Sequence, residues 1–206
     1  MTIIGITGGT GAGKSIVNDV FANHGYPTYD CDAAYHALVS YRSPCVEELV
    51  SVFGDTILAK DGGLDRAVLR ELVFSSGADA AARLAQLNQI SHRYVKEDLF
   101  AWCGKMESLG HDAVVIDAPT LFEAELEGAC AVVIGVIAPY DVRVSRVAAR
   151  DHISYDSACK RINAQHDDDF YRTHCDYIVE NSSTTDDVIA QTNNIINELL
   201  KRGILK

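Results

Sequence analysis

The stretch GGTGAGKS, at residues 8–15, decides the fold because it fits the pattern G-x-x-x-x-G-K-[ST]. The fixed positions of that pattern are Gly8, Gly13, Lys14 and Ser15. Glycines let the backbone wrap closely around phosphate groups and turn its N–H groups inward. The lysine can reach the β- and γ-phosphates, and the serine hydroxyl can bind Mg²⁺. The stretch therefore predicts a loop that binds a nucleoside triphosphate with magnesium.

The residues on either side of the loop supply the context that the motif requires. TIIGIT, at 2–7, is a short apolar run ended by glycines, as in a buried parallel strand. Residues 14–25 follow with apolar side chains at helical spacing, and Gly25 suits a C-terminal stop. A strand before the loop and a helix after it would direct the positive end of the helix dipole at the phosphates.

Further apolar runs predict the rest of a parallel sheet. The predicted strands lie at 26–30, 112–119, 130–138 and 175–181. Helical patterns alternate with them at 142–150, 154–165 and 185–202. Because strands alternate with helices, we expect an α/β chain with right-handed crossovers. The predicted fold is a P-loop NTPase of three α/β/α layers around a five-stranded parallel sheet.

Two segments lack good strand patterns and are expected to lie outside the sheet. The first, 32–110, is mostly helical in pattern, with a turn at 60–65. The second is helical and covers 141–171. The predicted core is formed by residues 1–31, 111–140 and 172–206.

Composition narrows the classes of protein to consider. The formal net charge of -11 argues against a nucleic-acid binder, which would be basic. The six cysteines form no C-x-x-C pair, which fits reduced thiols in the cytosol. We found no apolar stretch of about 18 residues, so a membrane span is not expected. The thiols favour a cytoplasmic location. We also expect a monomer without an obligate protein partner.

Missing motifs separate the classes of P-loop protein. A GTP-binding switch would carry D-x-x-G and N-K-x-D, yet no glycine follows an aspartate by three positions and no asparagine precedes a lysine. A motor or transporter ATPase would show an apolar strand ending in Asp-Glu, whereas here Asp117 precedes Ala118. A small-molecule kinase remains, which needs an acceptor pocket, a base and cations that cover the triphosphate.

Cations of the required kind occur in the segment 141–171. Arg143, Arg146 and Arg150 are spaced i, i+3, i+7 and so share one helix face. Arg161 follows in the next helical pattern, with Gln165 one turn later. These arginines fit either a solvated face or a lid over the phosphates. Beside a phosphate-binding loop, the lid is the sharper interpretation.

The chain resembles the dephospho-coenzyme A kinase family over nearly its whole length. The resemblance begins with the loop ITGGTGAGKS and the D-x-D motif in YDCD. It continues through SPCVEELVSVFGDTIL, DGGLDRAVLRELVF, LNQISHR, DAPTLFE, RVAARDHISYDSACKRINAQ and CDYIVENSS. The order and spacing of these motifs make the resemblance specific. Departures from the family pattern are Ile16 for threonine, Arg93 for proline and Thr120 for leucine.

The resemblance implies ATP-dependent phosphorylation of the ribose 3′-hydroxyl of dephospho-coenzyme A. The products would be coenzyme A and ADP, in the last step of coenzyme A synthesis. It also implies that 32–110 is the acceptor domain and that 141–171 is the lid. Two alternatives stay open: another small-molecule kinase of the nucleoside, shikimate or gluconate type, or a non-catalytic nucleotide-binding module.

The two aspartates of YDCD receive different roles. In an extended stretch, Asp30 and Asp32 would point to one side, because side chains alternate along a strand. The resemblance assigns the catalytic base to Asp32, where a helix cap is the simpler alternative. Asp30 fits a water-mediated magnesium contact, a structural role or a cap. Asp117, at the end of a buried strand, fits magnesium-bound waters or a bond to the loop backbone.

The complete set of expected site residues follows from the motif and the resemblance. The residues expected to act in catalysis are Asp32, Lys14, Arg146 and Arg150. ATP is expected to contact Gly8, Gly9, Thr10, Gly11, Ala12, Gly13, Lys14, Ser15, Ile16, Arg143 and Asn181. The acceptor is expected to contact Asp32, Arg66, Arg70, His92 and Arg161. Magnesium is expected at Ser15, with Asp30 and Asp117 through water. The run HDDD at 166–169 is interpreted as lid charge, not as a metal site.

Overall fold

A computed structural model describes residues 1–74 and 79–206 of the chain. Within those residues the strands are β1 (Thr2–Thr7), β2 (Thr28–Asp30), β3 (Ala113–Asp117), β4 (Val132–Ile137) and β5 (Tyr177–Glu180). They form one sheet in the order β2-β3-β1-β4-β5, and all neighbouring strands run parallel. The predicted five-stranded parallel sheet is confirmed, and each of its strands lies inside a predicted run.

Helices connect the strands on both faces of this sheet. They are α1 (Lys14–Asn23), α2 (Cys31–Val39), α3 (Pro44–Phe53), α4 (Arg66–Phe74), α5 (Ala80–Ser108), α6 (Tyr140–Asp151), α7 (Tyr155–Asn163), α8 (Asp168–His174) and α9 (Thr185–Lys201). Short 3₁₀ turns occur at Asp55–Ile57 and Glu127–Ala129. Within the described ranges, no helix combines the length and the apolar character needed to cross a bilayer.

The core forms because the central strands are apolar on both faces. All of β4 is buried, and so are the last four residues of β1. Their side chains pack against α1 and α9 through residues such as Phe21, Ile196 and Leu199. Parallel strands that are covered on both sides have this continuous apolar character. The carboxyl ends of β1, β3 and β2 consequently meet at one edge, where ligands bind in such sheets.

The chain divides into two compact units. One consists of Met1–Asp30 and Lys105–Lys206, and the other of Cys31–Gly104. The second unit has an apolar cluster of its own, contributed by α2, α3, α4, α5 and the turn Asp55–Ile57 and including Val46, Leu49 and Ile57. This unit contains the predicted turn at 60–65. The backbone of Gly63 in that turn is so close to Ser40 that a Cβ atom on Gly63 would lie 2.7 Å from the carbonyl oxygen of Ser40.

One local expectation differs from the structure. The segment YDCD is not extended throughout, because α2 begins at Cys31 and places Asp32 in its first turn. Alternation along a strand therefore does not relate Asp30 to Asp32. The run HDDD begins a helix: the Asp167 carboxylate caps α8 by accepting the Phe170 N–H at 2.9 Å. Among the described residues, no group of three or more His, Cys, Asp or Glu side chains is arranged to hold a metal ion.

Candidate active site

The phosphate-binding loop joins β1 to α1 in a conformation that requires glycine. Gly8 and Gly13 have φ angles of 143° and 97°, which side chains of L-residues rarely adopt. A Cβ atom on Gly8 would also lie 2.2 Å from the carbonyl oxygen of Val136 in β4. On Gly13 it would lie 2.2 Å from the side-chain amide of Asn181. The loop is thus held close to both β4 and the residue that follows β5.

Helix α6 lies along the loop, and the three predicted arginines all contact it. The Nε of Arg143 donates to the carbonyl oxygen of Thr10 at 3.1 Å. Arg146 donates through Nη1 to the carbonyl oxygen of Gly11 at 3.2 Å. Arg150 donates through Nη2 to the hydroxyl of Thr10 at 3.3 Å. Spacing in the sequence correctly placed the arginines on one face, and the structure directs that face at the loop.

Arg143 differs from the other two because it is buried. Its side chain is only 5% exposed, and its Nη1 lies 3.4 Å from the Asp168 carboxylate. Burial raises the pKa of the Asp168 carboxyl, and the charge of Arg143 opposes that rise. The Nη2 atom is buried without a hydrogen-bond partner among the described residues. It lies against Gly9, where a Cβ atom would come within 2.0 Å of it.

Arg150 and Arg161 meet at a shared carboxylate. Arg150 donates to both oxygens of Asp151, at 2.7 and 3.0 Å, and Arg161 donates to the same group. Chiefly through the hydrogen bond from Arg150, the pKa of Asp151 lies below its ordinary value. Arg161, which was predicted to contact the acceptor, therefore belongs to the same arginine cluster as Arg150.

Two amide side chains complete the contacts with the loop. Asn181 is buried and donates to the carbonyl oxygen of Ala12 at 2.8 Å, and its own oxygen accepts from Arg146. Gln165 accepts the backbone N–H of Thr10 through Oε1 at 2.8 Å. No role was predicted for Gln165 from the sequence, in which it follows Arg161 by one turn. Its place at the end of the family-like stretch RVAARDHISYDSACKRINAQ was the available signal for this contact.

The oxygen-bearing side chains expected around magnesium lie at the carboxyl edge of the sheet and in the first turn of α1. Asp30 and Asp117 are register partners at the ends of β2 and β3. Asn18 of α1 donates to Asp117 at 2.5 Å, while its own Oδ1 is buried without a hydrogen-bond partner in the described chain. Ser15 is exposed in the first turn of α1. Carboxylate, amide and hydroxyl oxygens are the ligands that Mg²⁺ prefers, so this set fits the ion.

Lys14 begins α1 and donates from Nζ to the carbonyl oxygen of Gly8 at 3.0 Å. The remaining predicted residues belong to the unit Cys31–Gly104. Asp32 is exposed in the first turn of α2, and His92 is half-buried in α5. Arg66 and Arg70 are exposed on α4 and lie one turn apart.

Comparison with known proteins gives the family. A profile of the dephospho-CoA kinase family matches residues 2–187. A dephospho-CoA kinase of Thermobifida fusca is 36% identical over 205 residues, which cover 98% of each chain. A crystal structure from Thermus thermophilus has a TM-score of 0.78 and 32% identity over 96% of this chain and 97% of that one. The dephospho-CoA kinase from Campylobacter jejuni shares the fold, with a TM-score of 0.70, 21% identity and 98% coverage of each chain. The chain belongs to the dephospho-CoA kinase family.

Proposed function

We propose that the chain transfers the γ-phosphoryl group of ATP to the ribose 3′-hydroxyl of dephospho-coenzyme A, giving coenzyme A and ADP. Family membership supports this reaction. The observation that carries it in the structure is the convergence of Arg143, Arg146 and Arg150 on the loop from 8 to 15. Phosphoryl transfer depends mainly on positioning and on the neutralisation of charge, and a loop surrounded by cations provides both.

ATP with Mg²⁺ is the proposed phosphoryl donor. Backbone N–H groups from Gly8 to Ile16 would hold the phosphates, and Ser15 would bind the metal directly. Asp30 and Asp117 would hold metal-bound waters, which agrees with their register across neighbouring strands. When bound, the ion neutralises charge on the β- and γ-phosphates.

The basic side chains are proposed to exchange partners when the nucleotide binds. At present Lys14, Arg146 and Arg150 donate to neutral carbonyl or hydroxyl oxygens of the loop. Phosphate oxygens are charged acceptors and form hydrogen bonds roughly twice as strong. These side chains can therefore turn from the loop to the triphosphate, where they stabilise charge on the transferred group.

Asp32 is proposed to be the base that orients the acceptor hydroxyl and takes its proton late in a loose transition state. It is exposed, and it follows the end of β2 by two residues. We further propose that residues 32–110 bind the acceptor, with contacts from Arg66, Arg70 and His92. The segment 141–171 would act as the lid and contribute Arg161.

An assay with several acceptors tests this function. ADP release, coupled to NADH oxidation, is measured with dephospho-coenzyme A, shikimate, gluconate and a set of nucleosides. We expect release only with dephospho-coenzyme A and none from Lys14→Ala. Preference for another acceptor would favour a different small-molecule kinase, which family membership does not favour. Absence of release with every acceptor would favour a nucleotide-binding module.

A further inference from the structure

Both backbone polar groups of Thr10 are engaged by side chains from the segment 141–171. Arg143 donates to its carbonyl oxygen, and Gln165 accepts its N–H at 2.8 Å. The Gln165 contact is unusual in kind, because a side-chain oxygen binds an N–H group of a loop that serves to bind phosphate oxygens. The amide oxygen of Gln165 thus occupies the place that a phosphate oxygen would take on this N–H group.

Arg143 keeps one donor atom beside this contact that an anion could use. A cavity of about 870 Å³ borders Arg143 and Gln165, and its lining also includes the three acidic residues Asp167, Asp168 and Asp169. The guanidinium of Arg143 is almost wholly buried, and its Nη2 has no hydrogen-bond partner in the described residues. The Asp168 carboxylate lies 3.4 Å from Nη1 of Arg143 and partly offsets the charge of the guanidinium. A buried cation with a remaining donor, next to a backbone N–H, is a strong arrangement for an oxyanion.

The position of Thr10 in the loop indicates which phosphate belongs there. The start of α1, at Lys14, holds phosphates at the helix N-terminus, where the dipole and the N–H groups act together. Thr10 lies four residues before that start. Its N–H group therefore serves the part of the triphosphate farthest from the helix, which is the γ-phosphoryl group.

We propose that Gln165 takes the place of an oxygen of the γ-phosphoryl group while the loop is empty. Binding of ATP displaces the Gln165 side chain, and the phosphoryl group takes over the Thr10 N–H and the Nη2 of Arg143. This inference rests on the proposed function, because it identifies a subsite within that site. Gln165 is thus a positioning residue that competes with the group to be transferred.

The exchange is physically reasonable because the two acceptors differ in charge. A neutral amide oxygen forms a weaker bond to an N–H group than a phosphoryl oxygen does. Gln165 can leave by rotation of its side chain alone, since its backbone N–H remains bonded to the carbonyl oxygen of Ile162 at 3.1 Å. No helix has to unfold for the subsite to open.

Titration calorimetry with two ligands tests the proposal. ADP and a non-hydrolysable ATP analogue, each with Mg²⁺, are titrated into wild type, Gln165→Ala, Gln165→Glu and the control Asn163→Ala. Gln165→Ala removes the competitor, so we expect it to bind the ATP analogue about three- to tenfold more tightly. Gln165→Glu competes with a charged oxygen and repels the ligand, so we expect binding about tenfold weaker or worse. Affinity for ADP should stay within about twofold in both variants, because ADP lacks the third phosphate.

Other outcomes overturn the inference. Weaker or unchanged binding of the ATP analogue by Gln165→Ala would mean that Gln165 supports the ligand or the fold. Equal changes for ADP would remove the γ-phosphoryl assignment, and equal changes in Asn163→Ala would attribute the effect to the cavity in general. Thermal unfolding of each variant separates a folding defect from a binding effect. If wild type turns over dephospho-coenzyme A while these binding results fail, only the inference is lost; if wild type binds neither nucleotide, both are lost.

Discussion

Single residues around the loop differ chiefly in how much water reaches them. The side chain of Arg143 is 5% exposed, whereas that of Arg150, two turns later, is 59% exposed. A buried guanidinium is stabilised only by its hydrogen-bond partners in the protein. Those partners are left buried and unpaired if the guanidinium is removed. The same residue type therefore has different roles on one helix: Arg143 supports the loop, and Arg150 is accessible to a ligand.

This difference gives a prediction for stability. Arg143→Met keeps the volume of the side chain but removes the donors to Thr10 and Asp168. We expect a loss of about 1–3 kcal/mol in the free energy of unfolding, because the partner groups stay buried without it. The control Arg150→Met removes an exposed side chain and should change stability by less than about 0.5 kcal/mol. Urea unfolding followed by circular dichroism measures both, and equal losses would contradict the distinction.

A second prediction concerns Asp32 as the base. Asp32→Asn keeps the shape of the side chain but cannot accept the proton of the acceptor hydroxyl. We expect kcat to fall by about 10²- to 10⁴-fold, the usual contribution of general base catalysis. The KM for ATP should change little, since the role concerns the acceptor. Steady-state kinetics with both substrates measures this, and a kcat within tenfold of wild type would contradict the role of Asp32 as the base.

At the scale of elements, the start of α9 is stabilised by side chains that bind its free backbone N–H groups. Thr184 and Asp187 form a capping box: the threonine oxygen accepts the Asp187 N–H at 3.2 Å, and the carboxylate accepts the Thr184 N–H at 3.3 Å. Hydrogen bonds from Ser183, first, and then Thr184 lower the pKa of Asp187. The helix packs against α1 and the sheet through residues such as Val188.

The capping box makes part of the stability dependent on pH. Because the pKa of Asp187 is lower in the folded chain than in the unfolded chain, the folded state binds fewer protons in mild acid. Its contribution is complete above the unfolded pKa and is lost as the pH falls through the folded value. We expect Asp187→Asn to lower the Tm at pH 7, and the difference from wild type to shrink between about pH 5 and about pH 3.

Asp186→Asn is the matched control for that experiment. It makes the same change of charge in the same turn of α9 and leaves the capping box in place. Differential scanning calorimetry over the pH range should show a clearly smaller loss of Tm for this variant. A difference between Asp187→Asn and wild type that stays constant down to pH 3 would contradict the proposed linkage.

The helices and strands also show how much of the secondary structure could be predicted from the sequence. The apolar runs predicted every strand, because strands covered on both faces must be apolar throughout. They did not predict α8, since a helix of seven residues is too short to show a periodic pattern. From alternation along a strand, Asp30 to Asp32 were treated as extended, whereas β2 passes directly into α2 at Cys31.

The site was predictable to a similar extent. The loop motif fixed the residues from Gly8 to Ser15, and helical spacing grouped the arginines on one face. Residue spacing does not tell which part of the molecule that helix face meets or how far each arginine is buried. The burial of Arg143 was therefore not predicted. The contact of Gln165 with Thr10 joins residues 155 positions apart and depends on the tertiary fold alone.

On the scale of the whole molecule, the proposed nucleotide contacts all lie in one compact unit. The loop, α6, Gln165 and Asn181 belong to the unit formed by Met1–Asp30 and Lys105–Lys206. The unit Cys31–Gly104 has a separate apolar cluster. The assignment of this second unit to the acceptor stays a prediction, as do the cytoplasmic location and the monomeric state.

This division predicts where a nucleotide slows hydrogen exchange. With saturating ADP and Mg²⁺, peptides that cover residues 8–16 should exchange more slowly, because ligand binding opposes local opening. Peptides from α3 should exchange at the rate of the unliganded protein. Hydrogen exchange measured by mass spectrometry checks both expectations. The Lys14→Ala variant, measured with the same ligand, serves as the control. Equal protection of α3 would contradict an exclusive role of the first unit.

The hydrogen bonds that Lys14, Arg146 and Arg150 make to the empty loop have a consequence for selectivity. Each cation already has an acceptor within the protein, so a ligand gains only the difference between its own oxygens and those of the loop. A small anion that reaches one of these groups gains little, whereas a triphosphate replaces several acceptors in a single binding event. The unliganded loop therefore favours ligands that bring several phosphate oxygens over ligands that bring few. We therefore expect inorganic phosphate to compete less well than a triphosphate, because it replaces fewer of these acceptors.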